Sequence, residues 1–277
     1  MSTLSRLSRR AQLEAASGGS ALWAEVIALA KGPGVINMGQ GFPNFAGHET
    51  AREAALAALS GGRSDQYAPI NGAEKLRASI SGLYRSMYPA GAPGDRALDP
   101  ASEVCVTTSG TEAIYAAIMG LVDPGDEVVF FEPFFPWYLP CIRMAGGVPK
   151  PVMLPGPHFS LLEAEAELRA AFSPRTKLAI FNTPHNPTGR VATAAELRLL
   201  ASLCLEHDAL CLADEVYEVC VYPSSAERHL RICEVESMWE RTLTVGSASK
   251  LLSLTGWRVG WVTGPSELVK AASTIHS

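Results

Sequence analysis

From Glu103 onward, seven short apolar runs alternate with stretches of helical periodicity. This alternation constrains the fold more than any other feature of the chain. The runs are Glu103–Thr107, Glu127–Phe131, Val148–Leu154, Lys177–Phe181, Ala209–Ala213, Thr242–Gly246 and Arg258–Thr263. They are continuously apolar, not alternating, which suits parallel strands buried on both faces. Between them, Thr111–Val122 reads as a helix that stops at Asp123-Pro124-Gly125. Ser160 with Glu163, and Thr193 with Glu196, each read as a capping box opening a helix. Two more helices are expected around Glu49–Leu59 and Ala73–Tyr88, and another starts at Ser266. The expected fold is α/β: three layers, αβα, around a mostly parallel seven-stranded sheet.

Composition removes several function classes. The 277 residues carry a net charge of −5, from 23 basic and 28 acidic side chains. That balance argues against a nucleic-acid partner. No apolar run approaches the roughly 18 residues that span a bilayer, so no membrane partner is expected. The six cysteines, Cys105, Cys141, Cys204, Cys211, Cys220 and Cys233, show no Cys-x-x-Cys spacing. Zinc and thioredoxin-type readings fail, and no metal site is expected. Buried reduced thiols imply a reducing compartment, and a cytoplasmic location is expected. The basic start, with Arg6, Arg9 and Arg10, lacks a secretory apolar core and leaves a mitochondrial presequence as the alternative.

In a sheet of this kind the ligand sits at the carboxyl ends of the strands. After the first run, Ser109-Gly110-Thr111-Glu112 opens a helix, and the N–H groups there suit an anion. After the second, Glu132-Pro133-Phe134-Phe135-Pro136-Trp137-Tyr138 places aromatic rings between two prolines, which disfavour regular helix. After the fourth, Asn182-Thr183-Pro184-His185-Asn186-Pro187-Thr188-Gly189 is turn chemistry that also aims two Asn side chains. Asp214 follows Ala-Leu-Cys-Leu-Ala, and a carboxylate buried there needs a partner. Lys250 lies at the end of the sixth run among small hydroxyls, where desolvation would make it nucleophilic. An anion cradle, an aromatic stack, an Asn, a buried Asp, a Tyr, a Lys and an Arg together fit a ligand with a phosphate, a flat basic ring and an aldehyde. That ligand is pyridoxal phosphate.

Rival motifs fail. Gly39-Gln40-Gly41 lacks the third glycine of a dinucleotide fingerprint, since Asn44 stands there. Ser247-x-x-Lys250 matches a Ser-x-x-Lys hydrolase, but Lys-Thr-Gly and Ser-Asp-Asn are missing.

Six stretches then carry a resemblance: Asn37-Met-Gly-Gln-Gly-Phe-Pro43, Tyr67-Ala-Pro-Ile-Asn-Gly72, Glu132-Pro-Phe-Phe135, Asn182-Thr-Pro-His-Asn-Pro-Thr-Gly189, Asp214-Glu-Val-Tyr217, and Ser247-Ala-Ser-Lys250 with Thr255-Gly-Trp-Arg258. In this order they resemble the class I/II pyridoxal-phosphate-dependent aminotransferases of fold type I. The resemblance is closest to the kynurenine aminotransferase, glutamine transaminase K and cysteine-conjugate β-lyase group. It implies transamination of an aromatic, kynurenine, glutamine or sulfur amino acid with a 2-oxo acid. A cysteine-conjugate β-lyase and a non-catalytic or degenerate paralogue are the alternatives.

By that resemblance Lys250 anchors the cofactor as a Schiff base, Asp214 pairs with the ring nitrogen, and Asn186 and Tyr217 bond the ring oxygen. Lys250, Asp214 and Tyr217 are the implied catalytic residues. Phe135 stacks on the ring, and Gly110, Thr111, Ser247 and Arg258 take the phosphate. Tyr67 reaches the phosphate of a neighbouring subunit, which implies a homodimer. Trp23, Gly41, Tyr138 and Asn186 fall on the substrate side. Residues 1–46 correspond to an N-terminal arm with part of a small domain, and 47–277 to the cofactor-binding large domain. The family also has a C-terminal small domain whose Arg clamps the substrate carboxylate. No residue here matches that Arg, so the chain is expected to hold cofactor better than it turns over amino acids.

Overall fold

The computed structural model describes residues 7–16, 19–88, 97–222 and 229–277. It divides into two compact units, Met1–Ala46 and Gly47–Ser277. The first holds helices α1 (Arg9–Ala16) and α2 (Gly19–Leu29), followed by turns and irregular chain. Trp23 falls in α2, but its side chain lies outside the described residues.

The second unit opens with α3 (Glu49–Ser60) and α4 (Glu74–Met87). The alternation follows: β1 (Val104–Thr107), α5 (Gly110–Leu121), β2 (Glu127–Glu132), α6 (Tyr138–Ala145), β3 (Val148–Met153), α7 (Glu165–Ala171), β4 (Thr176–Asn182), α8 (Ala194–Glu206), β5 (Leu210–Asp214), β6 (Thr242–Ser247), α9 (Ala248–Leu251), β7 (Gly260–Thr263) and α10 (Ser266–His276). All seven expected strands are present, each within two residues of its expected ends.

The strands form one sheet in the order β1-β7-β6-β5-β4-β2-β3. Neighbours run parallel except β7, which is antiparallel to both β1 and β6. Alternate residues of each central strand serve opposite faces. Val129, Phe131, Ala179, Phe181, Cys211 and Ala213 pack towards α7 and α8. Val128, Phe130, Leu178, Ile180 and Leu212 pack towards α5, α6 and α10. These are the three αβα layers. Packing on both faces explains why the strands read as unbroken apolar runs.

Three local expectations are corrected. Val148–Leu154 is not doubly buried: β3 is an edge strand, largely accessible, where Pro149 and Pro151 forfeit no ladder bond to a further strand. The Ser160–Glu163 capping box does not form. Helix α7 starts only at Glu165, and the Ser160 hydroxyl instead donates to Glu196 Oε1 at 2.9 Å. The Thr193–Glu196 box does form and caps α8. The aromatic segment is loop only as far as Trp137. Tyr138 opens α6, whose Pro140 sits in the first turn, where no amide donor is needed. Of the six cysteines, five are buried and Cys220 is exposed.

Candidate active site

At the carboxyl ends of β2, β4, β5 and β6 lies a cleft containing about 600 Å³ of empty space, part of it open to solvent. Gly110, Thr111, Phe135, Asn186, Asp214, Tyr217, Ser247, Lys250 and Arg258 all line it. These nine residues span almost 150 positions of sequence and meet because all lie at or just beyond the carboxyl ends of strands or in the connections that follow them.

Asp214 is the last residue of β5 and is buried. Burial pushes its carboxyl up to about 6, although the Tyr138 hydroxyl and the Val216 amide donate to it. Tyr138 Oη lies 2.5 Å from Asp214 Oδ2. The expectation that Tyr138 lines the substrate side is corrected here. Its side chain is only 3% exposed and stands behind Asp214, not among the residues of the cleft wall.

The two asparagines divide their work. Asn182, paired in register with Asp214, turns inward. Its Nδ2 donates to the Asp214 carbonyl at 2.8 Å, and its Oδ1 accepts from the Asn186 amide at 2.7 Å. Asn182 therefore fastens the loop to the end of β5, and Asn186 is the one that lines the cleft. The Tyr217 hydroxyl is held up by burial, with Asp214's charge adding and a hydrogen bond with Asn186 opposing.

Lys250 is half-buried at the foot of α9. Burial lowers its pKa, with Cys220 opposing and the like charge of Arg258 adding. Its Nζ lies 5.4 Å from the centre of the Tyr217 ring. Phe135 meets Tyr138 edge-on, with centroids 5.6 Å apart.

The anion cradle has a specific origin. Ser109 precedes α5 at φ 88° and makes no side-chain cap. The first amides of that helix, at Gly110 and Thr111, have no intrahelical acceptor and border the cleft. Gly260 makes this turn possible: a Cβ there would fall 2.3 Å from the Ser109 carbonyl carbon and 2.4 Å from the Gly110 nitrogen. Beside Gly110, the Ser247 hydroxyl accepts from the Ser249 amide at 3.2 Å. The Ser249 hydroxyl is buried in the cleft wall and has no hydrogen-bond partner among the described residues. Ser249 and Gly260 are the residues that sequence reasoning missed. Ser249 was visible as a hydroxyl flanking Lys250, but the contact of Gly260 joins strands adjacent in the sheet and about 150 residues apart in sequence, and leaves no local signal.

Tyr67 is fully exposed, at 105%, and does not line this cleft. Gly41 belongs to the first unit. Behind the cleft, Glu215, Glu218 and His229 bring ligand-type atoms within 4.8 Å of one another, but Arg231 already supplies a cation to Glu215.

The family model for "Aminotransferase class I and II" matches residues 33–277. The chain belongs to the class I and II aminotransferases. Among these aminotransferases it is 39% identical over 263 residues to rat kynurenine–oxoglutarate transaminase 3, covering 92% of this chain and 56% of that protein. To human kynurenine–oxoglutarate transaminase 1 it is 41% identical over 264 residues, covering 92% and 61%. The chain thus spans little more than half the length of these curated relatives. Among solved aminotransferase structures, N-succinyldiaminopimelate aminotransferase from Mycobacterium tuberculosis superposes with a TM-score of 0.84 at 40% identity, covering 92% of this chain and 64% of that one. YbdL from Escherichia coli, described as having a methionine aminotransferase function, gives 0.84 at 34% identity over the same shares. Among the described residues, no helix is long and apolar enough to cross a membrane.

Proposed function

We propose that this chain forms the cofactor-binding core of an enzyme that moves an amino group between an amino acid and a 2-oxo acid, with pyridoxal phosphate in the cleft. One observation carries the reading: the buried Asp214 carboxyl, the half-buried Lys250 amine and an uncapped helix start all border the same cleft. The donor set fits the cofactor. Among the described residues no cation pairs with Asp214, and a protonated ring nitrogen would supply one; the Ser249 hydroxyl, without a partner among those residues, lines the same cleft as amides suited to a phosphate.

When bound, pyridoxal phosphate supplies the electron sink for a carbanion at the substrate Cα and the carbon that receives the amino group. The protein's residues do the rest. Asp214 holds a proton on the ring nitrogen. Asn186 and Tyr217 bond the ring oxygen, and Phe135 packs on the ring face. Gly110, Thr111, Ser247, Ser249 and Arg258 surround the phosphate. Lys250, its pKa lowered by burial, would take the proton from Cα as a neutral amine and deliver it to the carbon that receives the amino group.

We read the substrate class as aromatic, kynurenine-type, glutamine or sulfur amino acids; the names of the relatives support the kynurenine-type and sulfur members of that list. Residues 1–46 serve as arm and small-domain segment. Full exposure of Tyr67 supports a homodimer in which it serves the partner's phosphate. Six unpaired cysteines support a cytoplasmic setting. The test is borohydride reduction of the cofactor-loaded protein, followed by peptide mapping and an assay against an amino-acid panel. The pyridoxyl label is expected on Lys250 and should vanish in Lys250→Ala together with any transamination. A label on another lysine, or no label, would sink the reading.

A further inference from the structure

The turn after β5 has two faces. Asp214, Val216 and Tyr217 line the cleft, whereas Glu215 and Glu218 enter a buried polar cluster behind it. Glu215 is 0% exposed, and its Oε2 accepts from Arg231 Nε at 2.8 Å, with His229 Nε2 at 3.4 Å. The guanidinium carbon of Arg231, itself buried, lies 4.6 Å from the centre of the Tyr84 ring and 4.8 Å from that of Tyr88. The same two tyrosines donate to Glu218, from Tyr84 at 3.3 Å and from Tyr88 at 3.0 Å. Tyr84 also accepts from Trp261 Nε1 at 3.0 Å.

Trp261 links the cluster to the other half of the site. It sits opposite Gly246 in the β6–β7 ladder. A Cβ on Gly246 would fall 2.1 Å from Trp261 Nε1 and 2.7 Å from Tyr84 Oη. Ser247, the next residue, opens the segment that carries Lys250. The cluster therefore backs both the Asp214–Tyr217 turn and the Ser247–Lys250 segment. No atom of Arg231 borders the cleft.

We propose that Arg231 is a positioning residue for the cofactor site: seated against the rings of both Tyr84 and Tyr88 and bonded to Glu215, it fixes the Asp214–Tyr217 turn from behind. The proposal rests on the cofactor reading above. A planar guanidinium can lie against two rings while donating to a carboxylate, which an ammonium cannot reproduce. Loss of that cation would strand the Glu215 charge out of water. Glu215 would then draw its turn towards solvent or take up a proton, and Asp214 and Tyr217 move with it.

The experiment titrates pyridoxal phosphate into cofactor-stripped wild type, Arg231→Met, Arg231→Lys and the double variant Glu215→Gln/Arg231→Met. Dissociation constants come from the visible absorption of the lysine-bound cofactor, and melting curves are recorded on the same samples. Arg231→Met is expected to weaken cofactor binding about 10-fold or more, and the double variant to recover most of that loss because the Glu215 charge is no longer stranded. Should Arg231→Met fail to melt cooperatively, Arg231→Lys carries the test, with binding about 3-fold or more weaker at near-normal Tm. Folded Arg231 variants that bind cofactor as wild type does would overturn the proposal and leave the cofactor reading standing. Wild type that takes up no cofactor would overturn both.

Discussion

A carboxyl that keeps its proton up to about pH 6 in the folded chain loses it near 3.8 once the chain unfolds. For Asp214 the sign follows directly. Below 3.8 both states are protonated, and the buried group costs nothing. Between 3.8 and 6 the folded state must hold a proton that the unfolded state releases, so stability falls as pH rises. Above 6 the penalty is complete, at about 3 kcal/mol for the cofactor-free protein. Asp214→Asn should therefore stabilise the cofactor-free protein at pH 7.5 by about 1–3 kcal/mol in urea unfolding. The gain should fade towards pH 4, and the variant should bind pyridoxal phosphate poorly. A gain independent of pH would show that burial of this charge is not the cause. The type and place of Asp214 were legible, since a carboxylate following five apolar residues has few explanations. The role of Tyr138 was not. An aromatic beside a proline-rich loop looks like a pocket wall, and only the start of α6 turns its hydroxyl onto Asp214.

Elements were legible where one physical signal dominates. The central strands showed themselves through burial on both faces, and α8 through a capping box that closes. The matching signal at Ser160 misled because Glu196 gathers donors from three segments. It accepts from Ser160 Oγ, Leu161 N and Thr193 N, and pairs with Arg190 of the loop that carries Asn186. A tertiary partner thus outbid the local cap. Strand direction was equally hidden, since periodicity reads burial and not polarity, and β7 runs against its neighbours. Gly260 shows what that antiparallel strand demands. Gly260→Ala should lose about 2–4 kcal/mol and bind cofactor weakly, because the added carbon meets backbone and not a movable side chain. Gly256→Ala, with nothing within 4 Å of its Cβ, should change stability by about 0.5 kcal/mol or less. Denaturant unfolding of the pair checks both; equal losses would refute the steric account.

On the scale of the molecule, the sheet sorts the thiols. Cys105, Cys141, Cys204, Cys211 and Cys233 are buried, and burial pushes the Cys204 and Cys233 thiols up to about 12. Native protein treated with a chromogenic disulfide should release one equivalent, from Cys220, and six after denaturation. Two or more fast equivalents would mean that the layers open more readily than their packing implies. The sheet order has another consequence, in time. β1 has β7 as its neighbour, with Thr107 opposite Gly260. Synthesis delivers β1 first and β7 last of the seven strands, so β1 and the Ser109–Gly110 turn wait, unpaired, while five other strands emerge. Pairing so distant in sequence is slow to form. A nascent chain halted before residue 260 can own Asp214 and Lys250 and still lack the turn that would hold a phosphate. On the proposed cofactor reading, capture of pyridoxal phosphate would require β7 to be in place between β1 and β6.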